Sequence, residues 1–574
     1  MSDEPKVAAA IDFGTHGSGY AWAVKCNQND DSATRQILSR DQWSDQPATY
    51  PKNRTALLLN KDGTVADWGH SALKKYQQQR GDSAGELVTG LQMKMFLAPA
   101  HDTAPSIGGL ARRNEKLIPL YLQKLYSLAL NEIQLGGFKE EDIVWCLTVP
   151  AIWDDQARDA MRRAAERAGL PTEEHRFHLG LEPEVAVQYA RNALSGGGMD
   201  RAGTRIVVVD AGGGTVDITA YQVEPDGRRL AEVITADGDR LGSEYVNLAF
   251  RTEILESRLN SPGHFDGASR LLDYEEKAPG LLHDLLQAFE RRKIDFDPDD
   301  PGDTNISIPG RLFRLMGDAG LDALASRQNG VDDAFVISRD AFLGLFDQVL
   351  DPMMNLIETQ LDRVLANAPE NVRLLGMGGF AQSRYFQRRM AERFDDGDRV
   401  RFVVPPLPAL AVLHGAVHFA YDPSGTRIRR TRYTYGCDAS WPFKKGDPTS
   451  SKVTDDDGAE LCSTRFNAFV RIGDPVEVDQ EVKCVYTPMK NNQQDMAFTL
   501  YRTTEHDPRY VTDRGSVPIG ELVVKLPSAV RKLTRTERKV ELCMRFGGTQ
   551  TKVTARVLET GETLETSIEF KPRW

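Results

Sequence analysis

Two carboxylates, Asp210 and Asp217, bracket the run Ala211-Gly212-Gly213-Gly214-Thr215-Val216. Three consecutive glycines let a backbone turn sharply with no side chain in front of its N–H groups. Such a turn is a nest of amide donors shaped for phosphate oxygens, and Thr215 adds a hydroxyl. Acidic oxygens beside a phosphate nest suit hydrated Mg²⁺, which takes oxygen ligands and keeps most of its waters. The same device stands near the start of the chain, where Asp12 precedes Phe13-Gly14-Thr15-His16-Gly17-Ser18-Gly19. Two copies point to an internally duplicated ATPase core with one phosphate hairpin from each half. ATP would lie in a cleft between two α/β lobes, where ligands of that size commonly sit.

These acids need strands to hold them. Ile206-Val207-Val208-Val209 is a β-branched run that reads as a fully buried strand and stops at Asp210. Residues 218–223 read as its return in a hairpin. Residues 8–11 form a small-residue strand ending at Asp12, and the chain returns through Val24. Gln92-Met93-Lys94-Met95-Phe96 alternates polar and apolar. It reads as a strand or loop end, with Lys94 directed into a cleft. An amphipathic helix is expected over 114–135, a strand over 142–149 ending at Pro150, and a helix over 156–168 that carries Arg158. Glu182 precedes Pro183, which disfavours helix at Glu182 and leaves it facing the cleft. A turn at Leu241-Gly242-Ser243 leads into a helix near Glu244, and a helix over 281–293 carries Glu290 and Lys293. Residues 373–383 read as strand, glycine turn and helix start. The pair Gly378-Gly379 lets a planar base approach the backbone closely.

Bulk properties fit a globular chain of 574 residues with 40% hydrophobic and 27% charged content. That length allows roughly three or four domains. The net charge of −12 argues against nucleic acid or an anionic membrane as main partner, since both require a basic surface. No apolar run of about 20 residues predicts a membrane span. The acidic start Met1-Ser2-Asp3-Glu4-Pro5 lacks a signal-peptide core, so a cytoplasmic location is expected. The cysteines form no CxxC and no Cys/His cluster, which predicts separate reduced thiols.

Taken together, the motifs resemble the heat-shock-70 chaperones, within the actin-like ATPase superfamily. Ile11-Asp12-Phe13-Gly14-Thr15 is similar to the first phosphate motif of that family, and Val209 through Asp217 to the second. Leu147-Thr148-Val149-Pro150-Ala151 with Arg158, Glu182-Pro183, and Gly378-Gly379 follow in the family's order. Asp-Phe-Gly-Thr-x-x-Ser-Gly-Tyr, Met-Lys-Met and Gly-Gly-Phe-Ala-Gln-Ser resemble the divergent A12 branch most. The resemblance covers about residues 7–420. It implies that Asp12, Asp210, Asp217 and Glu182 hold hydrated Mg²⁺ and orient the attacking water. Lys94 would stabilise γ-phosphate charge. Thr15 and Thr215, with the backbone of Gly14 to Gly17 and of Gly212 to Gly214, would bind β- and γ-phosphates. Glu290 and Lys293 would contact ribose and adenine, beside Gly242, Gly378 and Gly379. Two departures matter at the site. His16 replaces a threonine and offers an imidazole to phosphate, and Phe380 replaces a serine and could stack on adenine.

The expected boundaries are 1–424 for the nucleotide-binding domain and 427–574 for an all-β remainder. Eight strands are expected there, and Val540, Leu542, Met544 and Phe546 share one face of the sixth. Gly547-Gly548 would close a hairpin. The resemblance implies a β-sandwich substrate domain, and with Trp574 directly after the last expected strand no helical lid is expected. The leading functional reading is a Mg²⁺-dependent, ATP-hydrolysing chaperone with a lidless domain for client polypeptides, served by a co-chaperone or exchange factor. The alternative is an ATP-gated regulatory or scaffold protein with one defined partner. A filament-forming relative or a sugar kinase fits less well with the appended β domain.

Overall fold

A computed structural model describes residues 5–25, 35–79, 85–94, 111–194, 198–259, 270–278, 280–366, 371–546 and 552–567. Met95, Phe96 and the Gly547-Gly548 turn lie outside these residues. The chain divides into two compact units. One comprises Met1–Trp153, Ala160–Gly227 and Asp237–Gly425; the other comprises Asp154–Asp159, Arg228–Ala236 and Thr426–Trp574.

The first unit repeats one strand arrangement. Val7–Asp12 pairs antiparallel with Gly17–Val24 and parallel with Ile143–Val149, which pairs parallel with Phe177–Leu181. Arg205–Ala211 pairs antiparallel with Val216–Val223 and parallel with Val372–Met377, which pairs parallel with Val400–Val403. Every residue of Val7–Asp12 and Ile143–Val149 is buried. These strands are covered on both faces, which is why they read as unbroken apolar runs. Within each sheet the parallel strands end at one edge. Asp12 and Asp210 stand there, outside the carboxyl ends where open α/β sheets take their ligands.

Two elements differ from the sequence expectation. Gly90–Lys94 is a short helix, not a strand, and it buries Met93 and Lys94. Glu182 is the first residue of the helix Glu182–Ala193. Pro183 fits the first turn because an N–H there would have no intrahelical partner. Tight packing fixes this helix. A Cβ built on Gly415, in the helix Ala411–Tyr421, would stand 1.8 Å from the Val185 carbonyl oxygen. Only glycine lets the two helices approach so closely.

The second unit holds two antiparallel sheets. One runs Lys452–Thr454, Glu460–Val470, Thr434–Pro442, Asp495–Thr503, Val517–Lys525 in spatial order. The other runs Gln480–Tyr486, Val540–Phe546, Lys552–Val557, Thr563–Ser567. They share one apolar core, with Cys437, Leu500 and Val524 from the first and Leu542, Met544 and Val553 from the second. The expected inward set Val540, Leu542, Met544 and Phe546 is buried in it. Two short segments expected in the first domain group with this unit instead. Arg502 donates to Asp154 at 2.8 Å, Tyr435 donates to Asp155, and Leu230 and Ala231 pair with Thr426 and Ile428. Cys146, Cys437, Cys462, Cys484 and Cys543 are free thiols. Among the described residues no helix is long and apolar enough to cross a membrane.

The Gly415 contact is testable. Gly415→Ala should cost about 1–3 kcal/mol of stability through overpacking. Thermal unfolding followed by circular dichroism should show a lower Tm than wild type, whereas Gly344→Ala, with open space around its Cβ position, should not.

Candidate functional site

The two aspartate-tipped hairpins of the first unit line one cavity of about 380 Å³. Its walls include Asp12, Gly14, Thr15, His16 and Gly17 from the first hairpin, and Asp210, Gly212, Gly213, Gly214 and Thr215 from the second. Lys94, Glu182, Glu290, Lys293, Gly378, Gly379 and Phe380 complete the sequence-expected set on these walls. The loops form a close-set cradle. A Cβ on Gly14 would stand 2.3 Å from the Gly17 carbonyl oxygen. Thr55 Oγ1 donates to the Gly14 carbonyl at 2.7 Å, and Gly212 N donates to the Thr215 carbonyl at 2.9 Å. Gly378 has φ +84°, and a Cβ there would meet the Ala211 carbonyl oxygen at 2.3 Å. A Cβ on Gly379 would meet nothing within 4 Å. Its backbone opens on the cavity and leaves room for a planar group.

The charged groups at the phosphate end are buried and paired. Lys94 Nζ donates to Glu182 Oε1 at 2.6 Å. Lys52 Nζ lies 2.6 Å from Asp12 Oδ2, and Thr148 Oγ1 donates to Asp12 Oδ1 at 2.8 Å. Burial alone would raise the Asp12 pKa, but the Lys52 and Lys94 ammonium groups overcome it and hold the carboxyl below its ordinary value. Glu182 goes the other way. Burial, with the charges of Asp12 and Asp217, pushes it up to about 7 against the pull of Lys94. Burial and the neighbouring Glu182, Asp217 and Asp12 likewise raise Asp210 well above the usual carboxylate range.

Two expected site residues lie off the cavity wall, and a third, on the wall, is engaged by its neighbours. Asp217 is not on the cavity wall; Ile152 N donates to its Oδ1 at 2.9 Å, so it acts on the site through its field on Glu182 and Asp210. Gly242 is not on the wall either. A Cβ there would stand 2.3 Å from the Gly213 carbonyl, so this glycine packs beneath the second loop. His16 reaches the cavity, but its Nδ1 donates to Glu244 Oε1 at 2.6 Å and Arg54 approaches both, which engages the imidazole that was expected to meet phosphate. Phe380 is 3% exposed and packs with Phe346 and Phe386, so its ring is part of an aromatic wall.

Glu290 and Lys293 are held by a network. Lys293 Nζ lies 2.7 Å from Glu290 Oε2 and donates to the Ser243 carbonyl and Asn247 Oδ1, both at 3.0 Å. Asn247 Nδ2 donates to Glu290 and Glu244 at 2.7 and 2.9 Å. Ser243 N and Glu244 N donate to the Gly212 and Gly213 carbonyls, tying this network to the phosphate loop. Sequence reasoning missed Lys52, Tyr50, Ser243, Ile294, Gln382, Ser383, Ala409 and Val412 on the wall. Gln382 and Ser383 adjoin a motif and could have been found. Lys52 sits in a polar stretch with no periodicity or motif to mark it.

The donor set fits a phosphate chain and a magnesium ion. Two glycine loops offer backbone N–H groups and hydroxyls to phosphate oxygens. Among the described residues no three His, Cys, Asp or Glu side chains converge as direct ligands of one ion. Asp12, Asp210 and Glu182 therefore suit an ion held largely through its own waters.

The raised carboxyls make stability depend on pH. Glu182 goes from an ordinary 4.5 to about 7, so the fold favours its protonated form. Its contribution is fully present below pH 4.5 and is lost as pH rises toward about 7. In EDTA, Glu182→Gln should flatten the fall of Tm between those values, and Asp210→Asn should act in the same sense. Parallel Tm–pH curves for wild type and both variants would contradict this electrostatic account.

No family model matches the chain. Heat shock 70 kDa protein 12A of Homo sapiens is 28% identical over 98% of this chain and 91% of its own length. Heat shock 70 kDa protein 12B of Homo sapiens is 30% identical over the same shares. Chaperone protein DnaK of Deinococcus deserti is 28% identical over 45% of this chain and 36% of its own length.

Proposed function

Because the chain belongs to the heat-shock-70 family, in its A12 branch, we propose that it is an actin-like ATPase that binds and hydrolyses ATP with Mg²⁺. We further propose that nucleotide state governs its grip on client polypeptides. The observation that carries the reading is two aspartate-tipped glycine hairpins lining one cavity with a buried Lys94–Glu182 pair. The two-sheet second unit, built on a single core, supports a polypeptide-binding role, since exposed strand edges can add an extended peptide.

In this mechanism the amides of Gly14 to Gly17 and Gly212 to Gly214 bind the β- and γ-phosphates, with the Thr15 and Thr215 hydroxyls. Asp12, Asp210 and Glu182 would hold the ion, which when bound would supply positive charge to neutralise the phosphates. Lys94 stabilises negative charge that shifts toward the leaving oxygen. Phosphoryl transfer needs mostly such positioning and neutralisation. Glu182 and Asp210, on the wall beside the two glycine loops, are placed to orient the attacking water. Asp217 tunes both from behind the wall. Gly378 and Gly379 let the base lie against the backbone, while Glu290 and Lys293 face the ribose and adenine.

Lys94→Ala or Asp210→Ala should lower phosphate release on the order of 10²–10³-fold; unchanged rates in both would refute the assignment. Gly379→Val should leave Tm near wild type, because its Cβ meets no neighbour, yet weaken ATP binding about 10-fold or more in calorimetry by filling space the base needs. The decisive functional experiment is a pull-down in ATP and in ADP followed by mass spectrometry. Nucleotide-dependent capture of many unrelated extended polypeptides is the expected result. Capture of one stoichiometric partner would favour the regulatory or scaffold reading instead.

A further inference from the structure

Lys52 is a cationic group on the cavity wall to which the mechanism above gives no part. We propose that Lys52 is a built-in cation of the nucleotide site, so that part of phosphate binding does not need a divalent metal. The inference rests on the ATP reading of the cavity.

Three observations carry it. The first is position: the Lys52 ammonium is on the cavity wall, 2.6 Å from Asp12 Oδ2, and its side chain is 13% exposed. The second is delivery. Lys52 lies across the first hairpin, where Cβ atoms on Gly17 and Gly19 would stand 3.2 and 3.3 Å from its Cβ and Cγ. Its neighbour Asn53 pairs with Ser18 of the same hairpin, which fixes the register of the approach. The glycines of the phosphate loop therefore also make room for the lysine stem. The third is charge. Asp12, Glu182 and Asp210 put three acidic side chains on the wall with Asp217 behind it, and Lys94 is already engaged by Glu182. An incoming polyphosphate meets a negative surface. A fixed ammonium on the cavity wall, 2.6 Å from Asp12 Oδ2, offsets that repulsion. Lys52 can turn donors to Asp12 and to a phosphate oxygen together, since an ammonium has three.

The test is ADP binding to the full chain by calorimetry, with Mg²⁺ and with excess EDTA, for wild type, Lys52→Met and Lys52→Arg. Wild type should bind in both conditions. Lys52→Met should lose about 10–100-fold in EDTA, the worth of a charge-assisted contact, and less than about 3-fold with Mg²⁺. Lys52→Arg should recover binding in EDTA. Should Lys52→Met fail to fold by circular dichroism, Lys52→Gln keeps a donor for Asp12 without the charge and should show the same selective loss. An unchanged affinity in EDTA, or an equal loss in both conditions, would overturn the role of Lys52. So would a wild type that binds ADP with Mg²⁺ but not in EDTA. No binding by wild type in either condition would overturn the ATP reading itself.

Discussion

Crowding of like charge is the constraint on which the first unit depends. Four carboxylates sit within each other's field at the edges of two sheets, and each is nine-tenths buried or more. Unbalanced, such a group would be costly, because burial penalises every ionised oxygen. The fold answers each differently. Asp12 takes Lys52 and Thr148, Glu182 takes Lys94, and Asp217 takes a backbone N–H from Ile152. Asp210 is left with burial and the charges of Glu182, Asp217 and Asp12 pushing its pKa well above the usual carboxylate range. The result is a site whose acids differ in proton affinity although they share one neighbourhood. That is the condition for dividing acid, base and ion-holding roles among chemically similar side chains.

The architecture serves that arrangement. Parallel strands bring Asp12, Thr148 and Glu182 to one sheet edge and Asp210 and Gly378 to another, in the register of the pairings. Helix packing sets the rest. The Gly415–Val185 contact fixes the helix that starts at Glu182. The bonds from Ser243 and Glu244 fix the network that carries Glu290 and Lys293 to the second glycine loop. Glu182 and the Glu290–Lys293 pair thus keep their places on the cavity wall through the packing of the helices that carry them.

The second unit is built on a different principle. Its two sheets meet through one core and keep alternating residues toward solvent. It also gathers Asp154–Asp159 and Arg228–Ala236, segments far apart in sequence. Asp154 and Asp155 are held there by Arg502 and Tyr435. A boundary drawn by composition alone cannot detect such a grouping, because these short segments look like ordinary pieces of the α/β part.

The sequence by itself determined the elements whose cause is local. Glycine runs after β-branched strands specify the two hairpins, and alternation at Val540 to Phe546 specifies an inward strand face. Local pattern marked Asp12 and Asp210 at the ends of their strands, whereas the resemblance to the heat-shock-70 family joined Lys94 and Glu182 to them as one site. Only the tertiary structure decided what those groups touch. The Ile152–Asp217 bond spans 65 residues and the His16–Glu244 bond 228, and Lys52 reaches Asp12 from a stretch with no periodicity. Such contacts arise where strands and helices are packed together. Their energetics depend on burial and on the field of distant charges, quantities that a linear pattern of residue types does not contain.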